Sequence, residues 1–183
     1  MQEISLNVLD VVQNSISARA TLITIWLNQY TSTGLLEITI KDNGFGMNEE
    51  QLKSVEDPFY TTRTTRKVGL GIPFFKMAAT ITGGKFHIES KPMVGTTLYA
   101  SFHTKHIDCM PLGDMISTIH TLITMNETID FLYTYQIDDN SFRLDTREFR
   151  RILGDIPFHS IEVSTYIKEY LLENQKEIDS KTL

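Results

Sequence analysis

The strongest constraint on the fold is a pair of apolar runs that alternate strictly with polar residues. The runs occupy residues 21–28 and 35–41, and a short polar connection that ends in Gly34 separates them. Strict alternation is typical of strands that bury one face only, and a short connection favours an antiparallel pair. The buried face of such a pair needs a cover. Residues 1–18 place apolar side chains at helical spacing and predict an amphipathic helix that can supply it.

The next sixty residues predict two helices and a second pair of strands. Asn48 and Gln51 form a capping box that predicts a short helix, residues 71–82 have helical spacing, and residues 85–91 and 96–104 alternate as a hairpin. The order helix, strand, strand, helix, helix, strand, strand predicts an α/β two-layer sandwich of the α+β kind. In this arrangement helices cover one face of a mixed sheet.

A boundary is expected near residue 104, because the remaining chain differs in character. Residues 1–104 would form the first domain, and residues 105–183 would form a small mixed α/β extension. The extension is expected to contain a hairpin across residues 138–140 and helices near residues 113–125, 146–153 and 160–174.

Composition limits the classes of function. The formal charge is −6 and the pI is near 5.3, so nucleic acid is not an expected partner. No apolar run approaches the roughly 20 residues that cross a bilayer, so no membrane span is expected. The single cysteine, Cys109, supports neither an internal disulfide nor zinc binding. These features predict a cytoplasmic protein.

The first candidate motif lies on the N-terminal helix. Asp10 and Asn14 are four residues apart and therefore share one helix face. Mg²⁺ prefers oxygen ligands, so the Asn14 carbonyl could bind the ion while the Asp10 carboxylate holds a water or a hydroxyl group. Two solvated polar residues on an exposed helix explain the same pattern, and the motif alone favours that simpler interpretation.

The second candidate motif is DNGFGM, residues 42–47, directly after a strand. Asp42 can accept a hydrogen bond from an exocyclic amine, and Gly44 and Gly46 allow a flat ring to approach the backbone closely. Such a site would recognise adenine. A turn built from Asp-Asn-Gly needs no ligand, and for this motif alone it is the better interpretation.

The third candidate motif begins in a polar segment, residues 60–67, which is expected to be a mobile loop. It contains Arg63 and Lys67, and Gly69 and Gly71 follow at the start of a helix. Backbone N–H groups at a helix start attract anions, and the two cations could reach the outer phosphates of a nucleotide. Basic loops are usually solvated, so this motif is also weak by itself.

In their order and spacing the three motifs resemble the GHKL ATPases, named for gyrase, heat-shock chaperones, histidine kinases and MutL. These proteins share the Bergerat ATP-binding fold. LDVVQNSISARATLITIWL is similar to their N box, and DNGFGM to their first glycine box. DPFYTTRTTRKVGLGIPF resembles the phenylalanine box, ATP lid and second glycine box of histidine kinases, and GGKFHIESKPMVGTTLYASF the terminal hairpin. The resemblance covers roughly residues 1–104.

The resemblance implies a role for each matching residue. Asn14 would bind Mg²⁺, and Asp42 would read the adenine of ATP. Asp10 matches the position of the activating glutamate but is one methylene shorter, and this shorter reach implies slow hydrolysis. The other implied contacts are Gly44 and Gly46 at the base, Gly69 and Gly71 at the phosphates, Arg63 and Lys67 at the outer phosphates, and Thr97 at the adenine amine through water.

Three functions follow from this resemblance. The first is a Mg-dependent ATP-binding regulator of a partner protein, with slow hydrolysis. The second is a protein kinase that acts in trans on Ser, Thr or His, as the anti-sigma-factor kinases do, and the third is a module that only binds ATP. Apolar segments within residues 105–183 need covering, which favours packing on the ATP domain or binding to a protein partner. The sequence leaves open whether the chain forms a homodimer.

Overall fold

The computed structural model describes residues 3–55 and 71–182. Within these ranges the order of elements agrees with the sequence prediction. In chain order they are α1 (Ile4–Ser17), β1 (Leu22–Tyr30), β2 (Leu35–Asp42), α2 (Glu49–Val55), α3 (Gly71–Ile81), β3 (Phe86–Lys91), β4 (Gly95–His103), α4 (Met115–Met125), β5 (Asp130–Ile137), β6 (Asn140–Asp145), α5 (Thr146–Leu153) and α6 (Ile161–Lys181).

The described strands form one mixed sheet in the order β3-β4-β2-β1-β5-β6. β1 and β2 are antiparallel, as predicted, and Ile25 lies opposite Ile40. β4 pairs with the other edge of β2, and β3 completes that side of the sheet. The apolar residues of the alternating pattern form a buried face of the sheet. On β1 these residues are Ile23, Ile25 and Leu27, which are almost completely excluded from solvent.

Helices cover this apolar face and complete a two-layer α+β arrangement. Val8 and Val12 of α1 are fully buried, and so is Phe75 of α3. The ring of Phe75 lies 5.5 Å from the ring of Phe102 on β4, which joins the helical layer to the sheet. The predicted fold class is therefore confirmed.

The C-terminal residues continue the same sheet. β5 pairs in parallel with β1, so that Tyr133 lies beside Ile25, and β6 pairs with β5. Asp138, in the turn between β5 and β6, accepts a hydrogen bond from the backbone N–H of Thr31 at 3.0 Å. The sheet and the buried core thus extend across the predicted boundary at residue 104.

Two local predictions are confirmed and one helix is longer than predicted. The backbone N–H groups of Asn48 and Gln51 each donate to the other side chain at 2.9 Å, which is the predicted capping box. α5 begins at Thr146, where the Asp145 side chain accepts from the N–H of Arg147. α6 continues past residue 174 to Lys181, because Ile178 extends its buried face.

Across residues 3–55 and 71–182, none of the helices combines the length and the apolar character needed to cross a membrane.

Candidate functional site

A cavity of about 280 Å³ opens between α1, the first turn of α3 and the sheet face formed by β2, β3 and β4. This volume is near the lower end of the range for small-molecule sites. The walls are mainly apolar, and polar groups are few. The apolar lining includes Val11, Ile40, Val55, Ile72, Ile88 and Leu98, and the polar lining consists of Asn14, Ser15, Ser17, Asp42 and Thr96.

Asp42 lies at the end of β2 and lines the cavity, with only 7% of its surface exposed. Its Oδ2 accepts a hydrogen bond from Ser15 Oγ at 2.7 Å. Its Oδ1 accepts from the backbone N–H of Gly44 at 2.9 Å and from that of Thr96 at 3.2 Å. Three donors on three different elements therefore fix the position of this carboxylate, which compensates for its burial.

The two glycines after Asp42 are required by close approach of protein backbone. A Cβ added at Gly44 would lie 2.7 Å from the carbonyl oxygen of Ala18. Gly46 has a φ of +63°, and an added Cβ would lie 2.1 Å from the carbonyl oxygen of Lys91. Gly46 lines the cavity and Gly44 does not. Both glycines therefore let the loop pack tightly, and Gly46 also leaves one wall of the cavity without a side chain.

The β3–β4 hairpin holds the same loop from the other side. The backbone N–H of Met47 donates to Ser90 Oγ at 2.8 Å, and Ser90 Oγ lies 2.8 Å from Thr96 Oγ1. The backbone N–H of Met93 donates to the carbonyl oxygen of Phe45 at 2.6 Å. Residues 42–47 are thus clamped between α1 and the hairpin, and they form more than an isolated turn.

Asp10 and Asn14 are exposed on the face of α1 near the cavity. Asn14 lines the cavity, and Asp10 does not. A Cβ added at Gly71, the first residue of α3, would lie 2.8 Å from the Cβ of Asp10. The structure therefore brings together Asp10 and the start of α3, with Asn14 one helical turn away at the cavity.

An Asn14 oxygen at the cavity suits a Mg²⁺ ion, because Mg²⁺ commonly takes few protein ligands and fills its shell with water and phosphate oxygens. In the described ranges, no group of three or more histidine, cysteine, aspartate or glutamate side chains could hold a metal ion. The Asn14 side-chain oxygen fits an ion that would take most of its other ligands from a bound phosphate and from water.

Thr96, and not the predicted Thr97, belongs to the cavity. Alternate residues of a strand point to opposite faces of the sheet. Thr96 shares its face with Leu98, which also lines the cavity, whereas Thr97 pairs with Lys41 and Glu89 on the other face. The resemblance implied Thr97 from the sequence Gly-Thr-Thr, in which Thr96 and Thr97 are adjacent, and did not distinguish the face of one threonine from that of the other.

Ser15 is a second cavity residue that sequence analysis missed. It is 4% exposed and directly follows Asn14. Its signal was present, because Ser15 falls on the apolar face of α1 beside Val8 and Val11, where a hydroxyl group needs a partner. Arg63, Lys67 and Gly69, together with the polar loop of residues 60–67, lie outside the described residues.

The part of the chain that forms the cavity is similar in sequence to a known family. The family described as "Histidine kinase-, DNA gyrase B-, and HSP90-like ATPase" matches residues 2–106, which is more than half of the chain. Sensor protein RprX of Bacteroides fragilis is 36% identical over 72 residues, which are 37% of this chain and 14% of that protein. Histidine protein kinase DivJ of Caulobacter vibrioides is 31% identical over 97 residues, which are 50% of this chain and 16% of that protein. The chain therefore spans only a small part of the length of these relatives.

Solved structures support the same fold. The MutL ATPase domain of Aquifex aeolicus, complexed with ADP, has a TM-score of 0.55 and 13% identity, and the match covers 93% of this chain and 70% of that chain. The N-terminal domain of a DNA repair protein has a TM-score of 0.56 and 18% identity, over 79% of this chain and 53% of that chain. The family match, the histidine kinase relatives and the shared fold agree, and the chain belongs to the histidine kinase-, DNA gyrase B- and HSP90-like (GHKL) ATPase family.

Proposed function

We propose that the protein binds Mg·ATP in the cavity beside Asp42. The observation that carries this proposal is the arrangement of one fixed, buried carboxylate in an otherwise apolar cavity. Apolar walls such as Ile40, Ile88 and Leu98 can pack against a flat base, and the carboxylate accepts a hydrogen bond from its exocyclic amine. A base without a donor at this position would leave the remaining acceptor capacity of the buried carboxylate unused and would shield it from water.

The phosphates would extend from the cavity toward the start of α3. Gly71 lies there next to Asp10, and the N-terminal end of a helix favours anionic groups. Asn14 would hold Mg²⁺ through its side-chain oxygen, and the ion would neutralise charge on the phosphate oxygens. We include Arg63, Lys67 and Gly69 in the proposed site on the strength of the sequence resemblance.

The proposed role is that of a nucleotide-dependent regulator of a partner protein, with slow hydrolysis. Asp10 would orient water toward the terminal phosphate, and its short side chain supports a low rate. The second candidate is a kinase that acts in trans. It is favoured by the relatives named as sensor and histidine kinases and by the exposure of Asp10, since a hydroxyl or imidazole of another protein could approach it. In a module that only binds ATP, neither reaction would occur.

Calorimetry with the full chain tests the binding step. We expect a micromolar dissociation constant for Mg·ATP, which corresponds to about −7 to −8 kcal/mol, and much weaker binding of Mg·GTP. Asp42→Asn should remain folded and should bind ATP about fivefold to a hundredfold more weakly. The amide has one acceptor oxygen in place of two, so it cannot accept from all the donors that the carboxylate accepts from. Equal binding of ATP by wild type and a folded Asp42→Asn variant would contradict the proposed site.

Turnover separates the candidate roles. Phosphate release from radiolabelled ATP by the pure protein supports a hydrolysing regulator, and label transferred to a protein from an extract of the source cell supports the kinase. An ATP-binding chain that shows neither would be a binding-only module.

A further inference from the structure

The hydrogen bonds at the inner end of the cavity determine which groups a ligand must present there. A carboxylate has about four lone-pair positions. Two donors occupy Asp42 Oδ1, and Ser15 Oγ occupies one position of Oδ2. One acceptor position therefore remains on Oδ2.

The hydroxyl group of Ser15 has the complementary property. A serine hydroxyl carries one proton and two lone pairs, and the proton of Ser15 is used in the 2.7 Å bond to Asp42. What Ser15 Oγ can still offer is therefore acceptor capacity only. Ser15 lines the cavity beside Asp42, so the two side chains together present a pair of adjacent acceptors.

This arrangement is rigid. Ser15 is buried within α1, and its backbone oxygen accepts from the N–H of Ala20 at 3.1 Å, which fixes the end of the helix. Asp42 is held by the three bonds already described. A ligand therefore meets the two acceptors in a fixed arrangement and cannot turn the hydroxyl proton toward itself without breaking a buried charge-assisted hydrogen bond.

We propose that Ser15 is a specificity-determining residue that, together with Asp42, selects a primary exocyclic amine on the bound base. A primary amine has two N–H donors, one for Asp42 Oδ2 and one for Ser15 Oγ. A 6-oxo purine places an acceptor against both, and a monoalkylated amine has only one N–H to give. The inference rests on the proposed nucleotide function and assigns the selectivity of the same site to two residues.

The test uses three ligands and three forms of the full chain. The ligands, all with Mg²⁺, are ATP, N6-methyl-ATP and purine riboside triphosphate, which lacks the exocyclic amine. The forms are wild type, Ser15→Ala and the control Ser5→Ala. Ser5 is also a buried serine of α1, but it lies at the opposite end of the helix from the cavity and contacts Glu3. Circular dichroism and thermal midpoints establish that each form is folded.

Wild type and Ser5→Ala should bind ATP about tenfold more tightly than N6-methyl-ATP, and more tightly still than purine riboside triphosphate. Ser15→Ala should bind ATP about tenfold more weakly than wild type, bind purine riboside triphosphate within about twofold of wild type, and no longer distinguish N6-methyl-ATP from ATP. A merely structural role for Ser15 would weaken all three ligands equally, and that result would overturn the inference.

Two further outcomes are decisive. In the first, wild type prefers ATP to purine riboside triphosphate but binds N6-methyl-ATP as tightly as ATP. This result overturns the role of Ser15 and leaves the proposed nucleotide function standing. This comparison needs no variant, so it remains available if Ser15→Ala does not fold. Wild type that binds none of the three ligands overturns the nucleotide function together with the inference.

Discussion

Asp42 and Asp10 are two carboxylates of the proposed site, and their surroundings suit them to different tasks. Asp42 is buried and is fixed by three donors, which suits recognition of a group that must be placed accurately. Asp10 is exposed on α1 and lies against the first residue of α3. A solvent-accessible carboxylate next to the expected phosphate position suits orientation of a water or a hydroxyl group.

Asp10→Asn should abolish the slow turnover of ATP while changing ATP affinity by no more than about threefold. The amide keeps the size of the side chain but cannot take a proton from the attacking group. Single-turnover measurements with radiolabelled ATP give the rate, which we expect to be below about 1 s⁻¹ in wild type. Asn14→Ala is the contrasting variant, because loss of the proposed Mg²⁺ ligand should weaken binding itself. Equal rates in wild type and Asp10→Asn would make Asp10 an ordinary surface carboxylate.

The residues of the site differ in how far the sequence could predict them. Asn14 and Asp42 stand in motifs with fixed spacing, and the structure places both at the cavity. Ser15 gives only a general signal, a hydroxyl group on the apolar face of α1, and its partner Asp42 lies on another element that the sequence does not bring next to it. Thr96 shares a face with Leu98 because the two are two residues apart on one strand, but this alternation does not say which face borders the cavity.

At the scale of elements, β5 and α6 illustrate how the C-terminal part is attached. Tyr135 of β5 is 3% exposed, and its hydroxyl donates to Asp179 Oδ1 of α6 at 2.9 Å. Burial, together with the hydrogen bond to Asp179, raises the pKa of this hydroxyl. Two positions earlier on the same face, Tyr133 is 1% exposed, and its hydroxyl has no hydrogen-bond partner within the part of the chain that the structure describes.

These two tyrosines form a matched pair of substitutions. Tyr135→Phe should lower the free energy of unfolding by about 1–2 kcal/mol, because it removes a hydrogen bond to a charged group between β5 and α6. Tyr133→Phe should leave it unchanged or raise it by about 1 kcal/mol, because it removes a buried polar group that lacks a partner. Urea denaturation at neutral pH measures both. A larger loss for Tyr133→Phe than for Tyr135→Phe would mean that the hydroxyl of Tyr133 has a partner in solution.

Element prediction succeeded where the signal was local and failed where it was not. The β5–β6 hairpin and the start of α5 at Thr146 could be predicted from turn and capping residues close in sequence. The parallel pairing of β1 with β5 could not, because Ile25 and Tyr133 are distant in sequence and the residues of a strand do not reveal its neighbour. For the same reason the sequence could not show that β5 and β6 of residues 105–183 continue the sheet of residues 1–104.

At the scale of the whole molecule, the continuous sheet implies that the two predicted domains depend on each other. β1 is an interior strand between β2 and β5, and its residues Ile23, Ile25 and Leu27 are buried beside both. If residues 105–183 separated from the rest, the edge of β1 that pairs with β5 would become exposed to water. A shared sheet and a shared buried core favour a single cooperative unit.

The last prediction uses the single tryptophan. Trp26 lies on β1 opposite Thr39 of β2 and beside Thr134 of β5, so its fluorescence reports on the strand that joins the two predicted domains. Far-UV circular dichroism reports mainly on the helices, several of which lie in the C-terminal part. We expect the two signals to follow one urea transition with the same midpoint, because β1 loses the hydrogen-bonded pairing along one of its edges when β5 unfolds. Tyr135→Phe, which alters only C-terminal contacts, should then shift both midpoints equally, and saturating Mg·ATP should raise both. Two separate transitions, with the tryptophan signal unaffected by Tyr135→Phe, would instead show that residues 1–104 fold independently of the C-terminal part.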